Sequence, residues 1–256
     1  MSAVVLRLSG FAGALLAWEA VGRSDLFLEG YFPPPSEVFP QVVAMLGDQS
    51  FLLDLIATTL SVAIGLAIAT AIAMPLGMML AHSPLMRAAS RSVLEFLRPM
   101  PPVALVPLAV LWIGGGPESK IGLAVFASLW PIFYNTMYAV DEVEPLLLAT
   151  ARSCGYGPGR MMLRVVLPSV TPFALTGIRL ATPIALSVVI SVEMLTGTSG
   201  GLGGAILVAA TGVTRMDQVL AIVVVAGVLG FAAHAGLEQL QRRVFGWTVA
   251  EREAAR

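Results

Sequence analysis

Glu193 and Arg179 sit in one apolar run, about residues 171 to 195, and are the side chains of this sequence best able to do chemistry. An ionisable group inside a hydrophobic span is costly and generally serves a solute path, a relay or a tie between helices. Glu193, near one end of the run, could line a passage for a polar solute or close it by hydrogen bonding. A partly wetted helix end is the plainer alternative. Arg179, deeper in the run, suits a tie to a neighbouring carbonyl or carboxylate. Ser187 and Ser191, one helical turn apart, could bind a polar solute, although serines also serve plain packing in membrane helices. Other chemistry is missing. The only lysine, Lys120, follows Ser119, so the sequence contains no G-x-x-x-x-G-K-[ST] phosphate loop. His82 and His234 stand far apart and Cys154 is the single cysteine, which leaves no metal-ligand pair and no internal disulfide. Cys154 reads as a small packing residue and His234 as a hydrogen-bonded one. No residue is a catalytic or metal-binding candidate.

The elements that must hold these groups are membrane helices. Of 256 residues, 57% are hydrophobic and only 12% charged, with a mean hydropathy of +0.86. That is too little charge to cover a soluble domain. Several apolar stretches reach the ~20 residues that cross a hydrocarbon core as a helix. The sequence predicts an all-α, polytopic membrane protein with about six transmembrane helices, at about 6–21, 55–81, 93–113, 121–140, 171–195 and 219–244. Pro75 should bend the second span, and Pro99, Pro101 and Pro102 should break the third. Breaks of this kind survive in lipid only where other helices or a watery cavity satisfy the freed backbone. The third span therefore belongs inside the bundle. With no internal repeat or low-complexity linker, residues 1–256 read as a single transmembrane domain, an N-terminal span at about 6–21 followed by a core from about 52 to 245.

Charge gives the orientation. Fourteen of the fifteen basic residues are arginine. With the N-terminus in the cytoplasm, inner segments hold Arg7, Arg87, Arg91, Arg98, Arg152, Arg160, Arg164, Arg242, Arg243, Arg252 and Arg256. Outer segments hold only Arg23, Lys120 and Arg215, as the positive-inside rule requires. Both termini are expected in the cytoplasm. The first apolar run lacks a clear small-x-small cleavage site and reads as a retained span. The outer segment from Arg23 to Asp54 is acidic, with Asp25, Glu29, Glu37, Asp48 and Asp54. Within it, the prolines 33 to 35 predict an extended stretch and Ser36 a helix start.

The inner segment of about residues 141–168 is longer than a connection between two spans needs. Asp141, Glu142 and Glu144 are expected at the start of a helix, where carboxylates suit the positive end of the dipole. Leu146, Leu147 and Leu148 add an apolar face, followed by Ala149, Thr150, Ala151, Arg152 and Ser153. Gly155, Tyr156, Gly157, Pro158 and Gly159 predict a sharp turn into a second helix, continuing through Arg160 and Arg164 to Leu167 and Pro168. A soluble partner docking on this helix–turn–helix and an interfacial amphipathic helix with a purely topological role both fit. Further on, the Gly-rich segment 197–204 reads as a tight turn into a short outer helix, in preference to a filter-like ring of carbonyls.

The pattern Ala151-Arg152-Ser153-x-Gly155, nine residues, then Val165-x-Leu167-Pro168 resembles the EAA loop of ABC importer permeases. Phe32 to Val38, Phe96 to Pro107, Leu129 to Thr136, Thr176 to Arg179, Glu193 to Leu195 and Ser199 to Gly203 resemble its nitrate, sulfonate and taurine branch, in the same order over about residues 30–248. The resemblance implies a type I importer permease bundle in a bacterial inner membrane. It implies a loop in which Ala149, Thr150, Ala151, Arg152, Ser153, Gly155, Tyr156, Leu167 and Pro168 couple to the ATPase, with most weight on Gly155 and Arg152. Ala149 stands where the family has the glutamate that names the loop, and Thr150 where the next alanine would fall, so no ion pair from that first position is expected. The implied partners are two cytoplasmic ATPase subunits that carry ATP and Mg, a second permease copy, a periplasmic or lipid-anchored solute-binding protein and the bilayer. No cofactor is implied on this chain and no nucleic acid. Two copies would enclose a path lined by Pro99, Pro101 and Pro102 and by Ser187, Ser191 and Glu193. The implied solute is a small one such as a sulfonate, taurine or nitrate. An ion-coupled secondary carrier working without an ATPase is the alternative; it would show inverted repeats and paired membrane carboxylates, and neither is seen.

Overall fold

The computed structural model describes residues 3–24, 30–197, 200–211 and 216–245. Asp25, Glu29, Ser199, Arg215, Arg252 and Arg256 of the sequence reading lie outside the described residues, as does the side chain of Arg7. The described elements are helical: α1 Ala3–Gly22, α2 Pro35–Leu46, α3 Gln49–His82, α4 Pro84–Leu97, a 3-10 turn Pro102–Leu105, α5 Val106–Ile113, α6 Pro117–Asp141, α7 Pro145–Ser153, α8 Pro158–Met161, a π-turn Met162–Val166, α9 Leu167–Thr196, α10 Leu202–Thr211 and α11 Met216–Val244.

Among the described residues, four helical stretches are long and apolar enough to cross a membrane: Gln49–His82, Pro117–Asp141, Pro158–Thr196 and Met216–Val244. The expected third span differs from its sequence reading. Pro84–Leu97 and Pro102–Ile113 meet at 81°, so they make a fifth span only if the bent pair is taken as one. The cause is the proline run: none of Pro99, Pro101 and Pro102 can donate a helical N–H, and each ring opposes the preceding turn. The expected first span is a helix, of which Leu8–Gly22 forms a shorter apolar stretch.

The chain packs as two compact units, residues 1–58 with 193–229, and residues 59–192 with 230–256. In the first, α1 and α2 meet through Trp18, whose indole N–H donates to the Pro33 carbonyl at 3.2 Å and whose ring tilts against Phe32 and Phe39. Helix α2 starts one residue before the expected Ser36. The Glu19 carboxylate accepts from the Ser36 amide at 3.1 Å and its hydroxyl at 2.9 Å, so α1 supplies the cap that Ser36 was expected to provide itself.

In the second unit the core is built on small residues that let helices approach closely, the usual device where lipid offers no hydrophobic drive. A Cβ on Gly177 of α9 would stand 2.8 Å from the Ile132 Cα and 2.9 Å from the Pro131 carbonyl of α6. On Gly77 of α3 it would meet the Phe133 carbonyl and the Thr136 Cβ at 3.0 Å. Ala69, Ala73, Leu80, Ile132, Phe133 and Ala181 fill the junction of α3, α6 and α9. A second cluster, Val106, Leu123, Ala127, Val188 and Val192, seats α5 on α6 and α9.

Candidate functional site

The loop between α6 and α9 takes its form from three chain breakers. Asp141 closes α6 and Glu144 precedes α7, which begins at Pro145. The expected acidic helix start holds for Glu144, the cap of α7, but is corrected for Asp141 and Glu142, which sit at the α6 C-terminus, where a carboxylate opposes the dipole. Helix α7 ends in a Schellman motif. The Tyr156 amide donates to the Ala151 carbonyl at 3.0 Å and the Gly155 amide to the Arg152 carbonyl at 2.9 Å. That geometry needs a left-handed residue, and Gly155 supplies it at φ 76°. Pro158 then opens α8, as expected.

Inside the loop, Ala151 is buried and Val143, Val166 and Val170 form a small core with Ala139, against which Leu148 and Met162 pack. The opposite surface is open. Leu146 is 67% exposed and Leu147 48%, alongside exposed Ala149, Thr150, Arg152, Ser153 and Cys154. Thr150 and Ser153 donate their hydroxyls back to Leu146 and Ala149 carbonyls, which leaves Arg152 as the outward polar group of α7. Tyr156 is partly covered by the Arg160 guanidinium, 4.6 Å from its ring centre. Leu167 begins α9 and Pro168 follows it, after a π-turn closed by the Leu167 amide on the Met162 carbonyl. The result is a firmly rooted platform with a mixed apolar and cationic outer face.

The residues expected along a solute path lie at the α4–α5 corner and along α9. Pro99, Pro101 and Pro102 form the corner between α4 and α5. Ser187 is exposed, and Ser187 and Ser191 donate to carbonyls of their own helix at 2.9 and 2.8 Å. Glu193 is fully buried. Thr58 of α3 donates its hydroxyl to the carboxylate, 2.9 Å from Oε2 and 3.1 Å from Oε1. The Gly203 amide donates to Oε2 at 3.0 Å, and the Leu202 amide donates to Thr58 Oγ1 at 2.9 Å. Glu193 and Thr58 therefore satisfy the first amides of α10 and place a carboxylate at its positive end. Asp54, one turn before Thr58, accepts from the Gly201 amide at 2.6 Å. Gly201 has φ 99°, and a Cβ there would run into both oxygens of Glu193. Of the expected turn, residues 198 and 199 lie outside the described residues; the short helix expected after it is α10. Beside it lies a cavity of about 400 Å³ lined by Asp48, Ser50, Asp54, Gly200 and Gln218 among others.

Thr58 was not singled out by sequence as the partner of Glu193, 135 positions away, nor Asp54 as that of Gly201, 147 positions away. Their i, i+4 spacing on α3 was the available signal, but nothing local connects them to these groups. Arg179 is a tie to a side-chain carbonyl and a carboxylate, as expected. It donates to Gln241 Oε1 at 3.0 Å, lies 3.3 Å from His234 Nε2 and pairs with Glu238 at 3.4 Å. Gln241 in turn donates to Thr176 Oγ1 at 3.1 Å and to the Pro172 carbonyl at 3.3 Å, which joins α9 to α11.

Comparison with known proteins gives one consistent answer. Residues 73–246 match the family model described as binding-protein-dependent transport system inner membrane component. The chain is 29% identical over 249 residues to the taurine transport system permease protein TauC of Escherichia coli, covering 95% of this chain and 90% of that one. It is 24% identical over 246 residues to the bicarbonate transport system permease protein CmpB of Synechocystis, covering 92% and 86%. A chain from a crystal structure of the MetNI methionine ABC transporter shares the fold, with a TM-score of 0.60 at 18% identity over 82% of this chain and 94% of that one.

Proposed function

This chain belongs to the binding-protein-dependent transport system inner membrane components, and from that premise we propose that the α7 platform is the surface through which ATPase subunits drive it. The chain is the multi-pass permease subunit of an ABC importer and not itself an ATPase; a separate ATPase, which carries the ATP and Mg, and a solute-binding protein are the partners that the family implies. The observation that carries the proposal is the Schellman turn at Gly155. It fixes α7 so that Ala151 and Leu148 root the platform while Leu146, Leu147 and Arg152 face outward. Apolar area flanked by an arginine is the composition of a protein-binding surface. Ala149 and Thr150 are then steric contacts, with the polar contact left to Arg152.

We further take two copies of this chain to pair around the path, with both termini in the cytoplasm and the acidic segment before α3 facing the binding protein. Closure of the ATPases moves the two platforms together and tilts the bundles, a rigid-body transition of the alternating-access kind. Pro99, Pro101 and Pro102 at the α4–α5 corner and Ser187 and Ser191 of α9 line the route, and Glu193 caps α10. The solute is a small anion or zwitterion, with a sulfonate such as taurine first and nitrate or bicarbonate after it. The identity to TauC supports that order.

The test is a pull-down of tagged chain from gently solubilised native membranes, with mass spectrometry of what co-purifies. Gly155→Pro demands a φ near −65° where 76° is needed, and Arg152→Glu reverses the outward charge. An ATPase captured by the parent chain and lost in both variants supports the proposal. Capture undiminished in both variants would rule out the α7 platform.

A further inference from the structure

Helix α4 is an unusual element to find bearing load, because none of its residues is buried. Leu85, Val93 and Phe96 are 80%, 57% and 67% exposed, and Leu94 alone reaches the α3–α6–α9 cluster. What fastens α4 to α6 is a pair of arginines. At its start, Arg87 makes a two-pronged ion pair with Asp141, Nη1 to Oδ2 at 3.0 Å and Nη2 to Oδ1 at 2.8 Å. The same Nη2 donates to the Ala81 carbonyl at the end of α3, at 3.1 Å. At its other end, the Arg98 guanidinium lies 4.6 Å over the Tyr134 ring.

Asp141 is the last residue of α6, three residues before the cap of α7. Its carboxylate opposes the α6 dipole, so it gains from a cation at that place. The other arm of the loop meets the α3–α4 corner differently. Met162 of the π-turn shares with Met78, Met79, His82 and Met86 a cavity of about 390 Å³. Methionine side chains around open space adapt to displacement and transmit little of it. One arm is therefore rigidly connected and the other compliant.

We infer that Arg87 is a positioning residue that carries movement of the α7 platform, through Asp141, into α4 and so into the proline corner that leads to α5. This rests on the reading of α7 as the ATPase-docking platform. A two-pronged guanidinium–carboxylate pair fixes both distance and orientation. Because its side chains are 38% and 45% exposed, the pair adds little to folding stability. Its role is geometric, and lysine cannot take it over.

The experiment uses the full-length chain with and without its co-purified ATPase in nanodiscs. The native Cys154 is exposed and is the single cysteine, so a spin label there and a second on Ala88→Cys report the α7–α4 distance. In the parent chain without ATPase the distribution is narrow. In Arg87→Ala and Arg87→Lys it broadens measurably without any ATPase present, because the two-pronged pair no longer fixes distance and orientation. The swap Arg87→Asp with Asp141→Arg narrows it again. With the ATPase bound, Arg87→Ala retains the ATPase and its hydrolysis, but the vanadate-induced displacement of a label pair across the α4–α5 corner is largely lost. An unchanged α7–α4 distribution in Arg87→Ala overturns the inference. A broadened one together with no ATPase bound to the parent chain overturns the docking reading and leaves the strut standing.

Discussion

Replacing Glu193 by alanine should release α10 while leaving the rest of the chain folded. The carboxylate is fully buried and takes the Thr58 hydroxyl and the Gly203 amide. Alanine leaves both donors buried without that acceptor, at about 1–3 kcal/mol each. Removing a negative charge from a helix N-terminus adds up to about 2 kcal/mol more. A total of about 3 kcal/mol or more is thus expected, even with some water entering from the neighbouring cavity. Glutamine keeps one acceptor oxygen and should lose about 1–2 kcal/mol. Hydrogen exchange of residues 202–211 in detergent is the direct assay. Three kcal/mol of local opening corresponds to amide exchange faster by on the order of 10²-fold, with the α6–α9 core unaffected. Gly201→Ala should reproduce the effect from the other side, since its Cβ collides with the same carboxylate. Exchange of the α10 amides changing less than about twofold in Glu193→Ala would refute the capping argument, because an opening equilibrium of that size means the donors lose nothing.

Other outcomes follow from the same geometry. Gly155→Asn should retain ATPase capture and Gly155→Ala should weaken it modestly: the left-handed conformation costs alanine about 1–2 kcal/mol, and a Cβ there meets nothing within 4 Å. Gly177→Val should lower the thermal midpoint by overpacking α6 against α9, at about 1–3 kcal/mol. Gly122→Ala, with open space at its Cβ, should be neutral or slightly stabilising by the same melting assay. A double-mutant cycle of Arg179→Ala with Gln241→Ala should return a coupling of about 0.5–3 kcal/mol, as for residues sharing one hydrogen-bond network. A coupling near zero would mean that α9 and α11 are held by packing alone.

What the sequence reveals and what it hides divide along local and non-local lines. The platform at 145–159 was legible because its determinants are local: a run of helix formers, a glycine where a left-handed turn is required, and a proline able to open the next helix. The break at Pro99 to Pro102 was legible for the same reason, yet its consequence was not. Hydropathy merged residues 93–113 into one span, whereas the proline corner turns α4 aside by 81°. The π-turn before Leu167 is a register shift of backbone hydrogen bonds with no compositional mark. Asp141 was assigned to the wrong helix end because three acids in four residues suit an N-terminus, and the arginine that stabilises it elsewhere is 54 positions away. Glu193 was conspicuous in an apolar run, but its role depends on Thr58 and the Gly203 amide, which only the fold brings to it.

The most direct measurement of the central claim is uptake into proteoliposomes holding this chain, its co-purified ATPase and the binding protein, with radiolabelled taurine, sulfonate, nitrate and bicarbonate tested in turn. A parallel chain lacks residues 149–159. The account predicts uptake that requires ATP and the binding protein and disappears with the deletion. Uptake by the deleted chain equal to the parent's, or uptake driven by an ion gradient with no ATPase present, would contradict it.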